Sequence, residues 1–252
     1  MKVQLTRFYD GYHRNIKITK KTIDENNFTY HSIIKTIKPF LTKEKNILDI
    51  GCGSGTLDFY LSSQCNYIKG TDISTKAINT CKYSAQNLKT TNIEFQVAIF
   101  PEILIEKKNF DIVLCIEIIE HVAEERKAIK NINKYLRKGG IAIISVPSIS
   151  APLYKLGLTK KFDQRVGHIR RYSPIRLKKL LKEAGFKIIK EKNYSGIIRD
   201  LIFTSECTDL IIRTANKFQL IGDIITFLDN ITLKLFGASQ IIIVAQKPKT
   251  QK

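Results

Sequence analysis

No window of this 252-residue chain reaches about 18 uninterrupted apolar residues, so a membrane-spanning helix is not expected. The N-terminal stretch MKVQLTRFYDGYHRN lacks the apolar run of a secretory signal. Cysteine is sparse: those at 52, 65, 81, 115 and 207 form no C-x-x-C pair, and Cys52, Cys81 and Cys115 fall inside predicted core elements. Reduced thiols in a cytoplasm are therefore expected. Internal repeats and low-complexity linkers are missing, and acids are few, at 23 against 42 Lys and Arg for a net +19. Such an excess raises nucleic acid or an anionic membrane as partner. Lysine, however, outnumbers arginine 32 to 10 and isoleucine is abundant, as an AT-biased coding sequence would give, so charge alone selects no partner. Its distribution says more. Lys155 to Lys192 holds thirteen basic residues against three acids, a net +10.

What is present is an ordered globular chain, with 43% hydrophobic and 26% charged residues. Its length suits one core with an elaboration. The most informative stretch is Asn46-Ile-Leu-Asp-Ile-Gly-Cys-Gly-Ser-Gly55, a strand running into a glycine turn with a helix from about Thr56. Glycines 51, 53 and 55 permit positive φ and let bare backbone approach a ligand, with free N–H groups at a helix N-terminus. A second strand, Tyr67-Ile-Lys-Gly-Thr-Asp72, ends in an acid spaced to accept ribose hydroxyls. Asp49, before the turn, would repel a pyrophosphate and attract an ammonium. The spacing G-x-G-x-G differs from the dinucleotide pattern, which disfavours a nicotinamide-dependent dehydrogenase. A nucleoside carrying an amino acid fits better.

With these residues the sequence resembles the class I S-adenosylmethionine-dependent methyltransferases, from about Phe28 to Gly185 with a return near Gln240. The resemblance implies that Asp49, Gly51, Gly53 and Gly55 hold the methionine part and Asp72 the ribose. That family places an acid for the adenine amino group after strand three. Here the register puts Ile99 at that position, leaving adenine to backbone and apolar packing, including Ile73.

Periodicity places a helix over Phe28–Leu41, strands at Asn46–Ile50, Tyr67–Asp72, Ile93–Ala98, Phe110–Ile116, Ile141–Val146, Phe186–Ile189 and Gln240–Gln246, and helices between them. Ser74 and Ser173 are N-caps, the latter followed by Pro174. The alternation predicts an α/β, doubly wound, mostly parallel seven-stranded sheet of Rossmann-like type. The resemblance adds that strand seven runs antiparallel between five and six. A single domain over 1–252 is expected, with a cofactor half at 28–147 and an acceptor side at 148–247. Ser195–Gly237 interrupts the last two strands with helix-spaced Ile221, Ile224, Ile225, Leu228, Ile231 and Leu235, and reads as a lid, a partner interface or an interfacial helix.

Strand four leads into Cys115-Ile-Glu-Ile-Ile-Glu-His-Val122, which carries Ile116 and Glu117 to the ligand crevice. On a helical turn Glu117, Glu120 and His121 share a face and could bind a divalent cation such as Mg. Equally, His121 could cap a helix beside solvated glutamates. The E-x-x-E-H pattern resembles both ubiquinone-biosynthesis O-methyltransferases and small-RNA 2′-O-methyltransferases. In the second branch a later histidine completes the site, and His168 stands in the corresponding place, beside Arg170 and Arg171. The expected catalytic residues are thus His121, His168 and Glu117, with Glu120 joining them as metal ligands. The leading expectation is O-methylation of a small-molecule or lipid-linked acceptor, with peripheral contact to an anionic membrane. RNA ribose methylation and a non-catalytic binding protein are the alternatives. No aromatic-interleaved basic stretch supports RNA.

Overall fold

The computed structural model describes residues 2–102, 109–205 and 208–249. Its strands are β1 (Asn46–Ile50), β2 (Tyr67–Asp72), β3 (Ile93–Val97), β4 (Phe110–Ile116), β5 (Leu136–Pro147), β6 (Lys187–Tyr194) and β7 (Gln240–Gln246). Its helices are α1 (Lys2–Tyr12), α2 (His31–Ile37), α3 (Thr56–Ser62), α4 (Thr75–Asn87), α5 (Glu125–Tyr135), α6 (Pro152–Lys155), α7 (Lys160–Val166), α8 (Pro174–Glu183), α9 (Ile197–Thr204), α10 (Asp209–Lys217) and α11 (Gln219–Phe236). The strands form one sheet in the order β3-β2-β1-β4-β5-β7-β6. β1 to β5 are parallel, and β7 runs antiparallel to both β5 and β6.

Burial on both faces explains the near-continuous apolar strands. In β4, Val113 and Cys115 enter a core closed by Ala128, Ile129 and Ile132 of α5 and Leu177, Leu180 and Leu181 of α8. Ile112 and Leu114 point to the opposite face, under Ile33, Ile34 and Ile37 of α2 and Leu57 and Leu61 of α3. Ser74 Oγ accepts the Ala77 N–H at 3.1 Å, and Ser173 Oγ accepts that of Arg176 at 3.2 Å, so both expected caps form. Cys65, Cys81 and Cys115 are buried free thiols and Cys52 is partly exposed. Cys207 lies outside the described residues.

Several boundaries differ from the sequence reading. The Phe28–Leu41 helix begins only at His31, and Pro39 tightens its end into a 3-10 turn over Lys38–Phe40. β5 starts five residues early because Leu136 pairs with Phe110. β6 continues to Tyr194 because it pairs with β7 along its whole length. As an edge strand it is mostly exposed and rich in lysine, which hides its period. α1 carries no strong apolar period and was not expected. The 195–237 insertion forms α9, α10 and α11, with residues 206–207 outside the described set. Among the described residues no helix is long and apolar enough to cross a membrane.

Candidate active site

Between β1 and α3 the chain turns through Gly51 (φ 80°), Gly53 (φ 52°) and Gly55 (φ 69°), all left-handed. A Cβ on Gly51 would fall 2.0 Å from Ile118 Cδ1, whereas one on Gly53 would meet only His13 Cε1, at 3.7 Å. The middle of the loop is therefore the part open to a ligand. Asp72, ending β2, accepts the Gly53 N–H at 3.0 Å on Oδ2 and the Ser74 N–H at 2.8 Å on Oδ1. Those bonds fix the carboxylate and tie it to the loop. About two of its four lone-pair sites remain for a pair of hydroxyls.

Asp49 is buried behind the loop, and burial raises its pKa to about 7. Its neighbour is Asp58 of α3, fully buried, whose oxygens meet no hydrogen-bond donor among the described residues. Burial and the Asp49 charge push Asp58 well above the carboxylate range, so Asp58 keeps its proton and donates it to Asp49. Such a pair offers one net negative charge to an ammonium. Below pH 7 a cationic ligand must displace the proton on Asp49. Affinity for an ammonium-bearing cofactor is therefore expected to rise about tenfold between pH 6 and pH 8, since a unit of pKa is worth about 1.4 kcal/mol. Calorimetry across that range measures it. Asp58→Leu, which removes the donor, should move the rise to higher pH.

The loop opens into a cavity of about 550 Å³ that continues past the end of β4 to α7 and α9. Ile73 and Ile116 line it. Ile99 does not. It stands beyond the end of β3, where its carbonyl accepts the Glu102 N–H at 2.8 Å in a turn, and its neighbours Ala98 and Phe100 face the cavity instead. α1 closes another wall with Tyr9, Tyr12 and the adjoining His13. Asp10 of α1 accepts from Ser74 Oγ at 2.6 Å and from the Lys76 N–H at 3.1 Å, which pins the helix over the start of α4.

At the other end, Glu120, His121 and His168 offer ligand atoms within 4.8 Å of one another. Glu120 Oε1 lies 4.0 Å from His121 Nε2 and 3.8 Å from His168 Nε2. The second ring nitrogens are held from behind: His121 Nδ1 by the Gly167 carbonyl at 3.0 Å, and His168 Nδ1 by Asp163 Oδ1 at 2.7 Å. With Nδ1–H donating in each ring, both Nε2 atoms, within 4.0 Å of Glu120 Oε1, would keep a lone pair, the usual support of metal-ligating histidines. Burial lowers His121 to about 4, so it is neutral. Both Glu120 oxygens are buried without a donor among the described residues. Burial, then the Glu117 charge, pushes this carboxyl far up. An orphaned carboxylate facing two imidazole lone pairs fits a divalent cation.

Glu117 departs from the expected arrangement. The helical turn is only a 3-10 turn over Ile119–His121, and Glu117 precedes it at φ 57°. Its carboxyl takes the Ser145 hydroxyl, which in turn contacts the Tyr194 hydroxyl at 2.9 Å. It lines the cavity but stands outside the three-residue cluster. Arg170 is spent on the Val122 and Ala123 carbonyls and Glu125. Arg171 reaches the cavity but forks onto Asp163, at 3.1 and 2.7 Å. For Asp163, the burial penalty is outweighed by His168 and Arg171, which hold it at about 2. Asp163, five residues before His168, was not singled out from sequence, nor was Asp58 or Arg199. The guanidinium of Arg199 stacks 4.2 Å from the Phe28 ring centroid and lines the cavity.

A seven-stranded sheet of this order, with a glycine loop at the end of β1 and an acid at the end of β2, defines the class of S-adenosylmethionine-dependent methyltransferases. The chain belongs to the methyltransferase-domain family, whose profile matches residues 24–191. A ubiquinone biosynthesis O-methyltransferase of Pelagibacter ubique is 38% identical over 123 residues, covering 49% of this chain and 50% of the relative. The chain thus spans about half the length of the curated relatives it matches. Among solved structures, a Haemonchus contortus phosphoethanolamine N-methyltransferase 2 in complex with S-adenosyl-L-methionine superposes with TM-score 0.66 at 18% identity, covering 98% of this chain and 57% of that one. An S-adenosylmethionine-dependent methyltransferase from Mesorhizobium loti gives TM-score 0.62 at 12% identity over 87% and 99% of the two chains. At these identities the likeness is one of fold.

Proposed function

We propose that this protein transfers the methyl group of S-adenosylmethionine to a hydroxyl of a small-molecule or lipid-linked acceptor. The observation that carries the reading is the single cavity joining the glycine loop and Asp72 to the Glu120–His121–His168 cluster. Asp49 would receive the cofactor's ammonium, the loop backbone its carboxylate, and Asp72 its ribose. The acceptor oxygen attacks the methyl carbon in line with the C–S bond, whose electrons return to sulfur. The hydroxyl proton leaves to a base, and the sulfonium charge disappears. Alignment supplies much of the acceleration, and a dry site favours loss of charge. His121, which burial keeps neutral, or His168, which also lines the cavity, can take the proton.

Glu120, His121 and His168 would also hold a divalent cation, which when bound makes a hydroxyl easier to ionise. Two imidazoles and one carboxylate suit Mn²⁺, Fe²⁺ or Zn²⁺ better than Mg²⁺. Phe162, Val166 and Phe203 give the acceptor end apolar walls, which supports an aromatic or prenyl-bearing molecule. The name of the Pelagibacter relative agrees with oxygen as the acceptor atom. Incubation with methyl-labelled cofactor and cell extract, followed by fractionation, tests the reading. Label should enter the lipid or small-molecule fraction. Label confined to RNA would favour ribose methylation, and tight cofactor binding with no transfer to any fraction would favour a binding protein.

A further inference from the structure

We propose that the α9–α11 insertion docks this protein onto a bilayer surface carrying anionic headgroups. The argument starts from the orientation of α11. At 100° per residue, Leu220, Ile224, Phe227, Leu228, Ile231 and Leu235 share one face of the helix. All six are exposed, from 44% at Ile231 to 72% at Leu220. The inward face carries Gly222, Asp229 and Thr232. A surface helix ordinarily turns its apolar stripe to the core. This one keeps Ile225 packed inward against Phe28, Ile202 and Ala215 but turns its main stripe outward, and hydrogen bonds hold it so.

Asp229 is 1% exposed and accepts the N–H groups of Gly196 at 2.7 Å and Arg199 at 2.9 Å, which caps α9. Thr232 Oγ1 accepts the Ile197 N–H at 3.1 Å. A Cβ on Gly222 would fall 2.9 Å from the Ala215 carbonyl, so α10 and α11 approach too closely there for a side chain. Rotating α11 to bury its stripe would strand Asp229 and uncap α9. The apolar face is thus a built feature, and contiguous exposed stripes of this size mark interaction sites. It also lies beyond the 24–191 family match, so the shared domain does not require it.

Charge selects the occupant. Lys234 flanks the stripe, Lys217 and Arg213 lie on α10, and Lys155 reaches the Gly237 end of α11. Leu156 and Leu158, 68% and 67% exposed, add apolar surface between Lys155 and Lys160–Lys161. Within described α9–α11 the exposed acids are Asp209 and Asp223. Lysine stems can lie along an apolar surface while their ammonium groups reach a headgroup layer, the pattern of an interfacial helix on anionic lipid. Two copies meeting through this face would oppose like-charged rims. α9, on which α11 packs, also supplies Phe203 and Arg199 to the cavity, so docking would set the proposed acceptor end beside lipid. That last consequence rests on the function proposed above; the docking does not.

The chain has no tryptophan, so Phe227→Trp gives a single reporter on the stripe. With phosphatidylglycerol-containing vesicles its emission should shift to the blue and be quenched by brominated acyl chains. Tyr83→Trp, 61% exposed on α4, should do neither. Co-sedimentation should fall with salt. It should also drop about tenfold or more in Ile224→Asp/Phe227→Asp/Ile231→Asp, with cofactor affinity unchanged. No shift of the Phe227→Trp reporter on anionic vesicles would overturn the proposal. So would concentration-dependent dimerisation without lipid that the triple variant abolishes, because the occupant would then be a second copy. Because vesicle binding is read without cofactor or turnover, a catalytically silent protein that docks would sink the methyl-transfer reading and leave this one standing.

Discussion

Asp72→Ala is expected to weaken S-adenosylmethionine binding by about 2–4 kcal/mol, the worth of two charge-assisted hydrogen bonds to a ribose. That is roughly 30- to 700-fold in Kd. The wild-type carboxylate is already fixed by the Gly53 and Ser74 N–H groups, so little ordering cost falls on the ligand. Its removal also releases the Gly53 N–H, while the Gly51 and Cys52 N–H groups stay on the Thr71 carbonyl of β2, so the loop keeps its place and the loss reports mainly the ribose contacts. Asp72→Asn keeps a hydrogen-bond acceptor without the charge and should fall between. Calorimetry decides it. Wild-type affinity in a folded Asp72→Ala variant would show that the ribose does not bind there.

The second large effect concerns the cluster beyond β4. Glu120→Gln, His121→Ala and His168→Ala should each lower turnover by about 10²–10⁴-fold while cofactor affinity stays near wild type. Asp163→Asn, which weakens the hold on His168 Nδ1 and on Arg171, should cost about 10–100-fold through the orientation of those side chains. A chelator separates the two forms of the account. Loss of turnover with chelator and its return with Mn²⁺, Fe²⁺ or Zn²⁺ would assign the cluster as a cation site. Chelator-insensitive turnover that still requires His121 and His168 would assign them as bases. Full activity in Glu120→Gln and His168→Ala would remove the cluster from the reaction.

The elements that position this site were legible where burial is two-sided. β1, β4 and β7 are nearly continuous apolar runs because both sheet faces are covered, and the glycine spacing at 51, 53 and 55 marks the turn between β1 and α3. β6 runs past its apolar residues to Tyr194 because an edge strand carries polar residues on the side away from its single neighbour. Ile99 lies past the end of β3 in a turn, where no strand period tells which neighbour faces the cavity.

Site residues were legible only where their spacing is local. Glu120 and His121 announce themselves as neighbours, and His168 by its place after β5. Asp163 is invisible because its partner lies across the end of α7, beyond the left-handed Gly167. Asp58 reads in sequence as an ordinary acid in a helix's first turn, and only the fold shows it sealed against Asp49. The stripe of α11 was readable from period alone, but its direction was not. That depends on Asp229 meeting the N-terminus of α9, about 30 residues upstream.

The most direct test is to locate the transferable methyl. With S-adenosylmethionine carbon-13-labelled at that methyl and bound to the protein, nuclear Overhauser contacts to imidazole protons should appear. The account predicts contacts to His121 or His168 that vanish in His121→Ala and His168→Ala and persist in His13→Ala. A bound cofactor whose methyl makes no contact with either ring would contradict it.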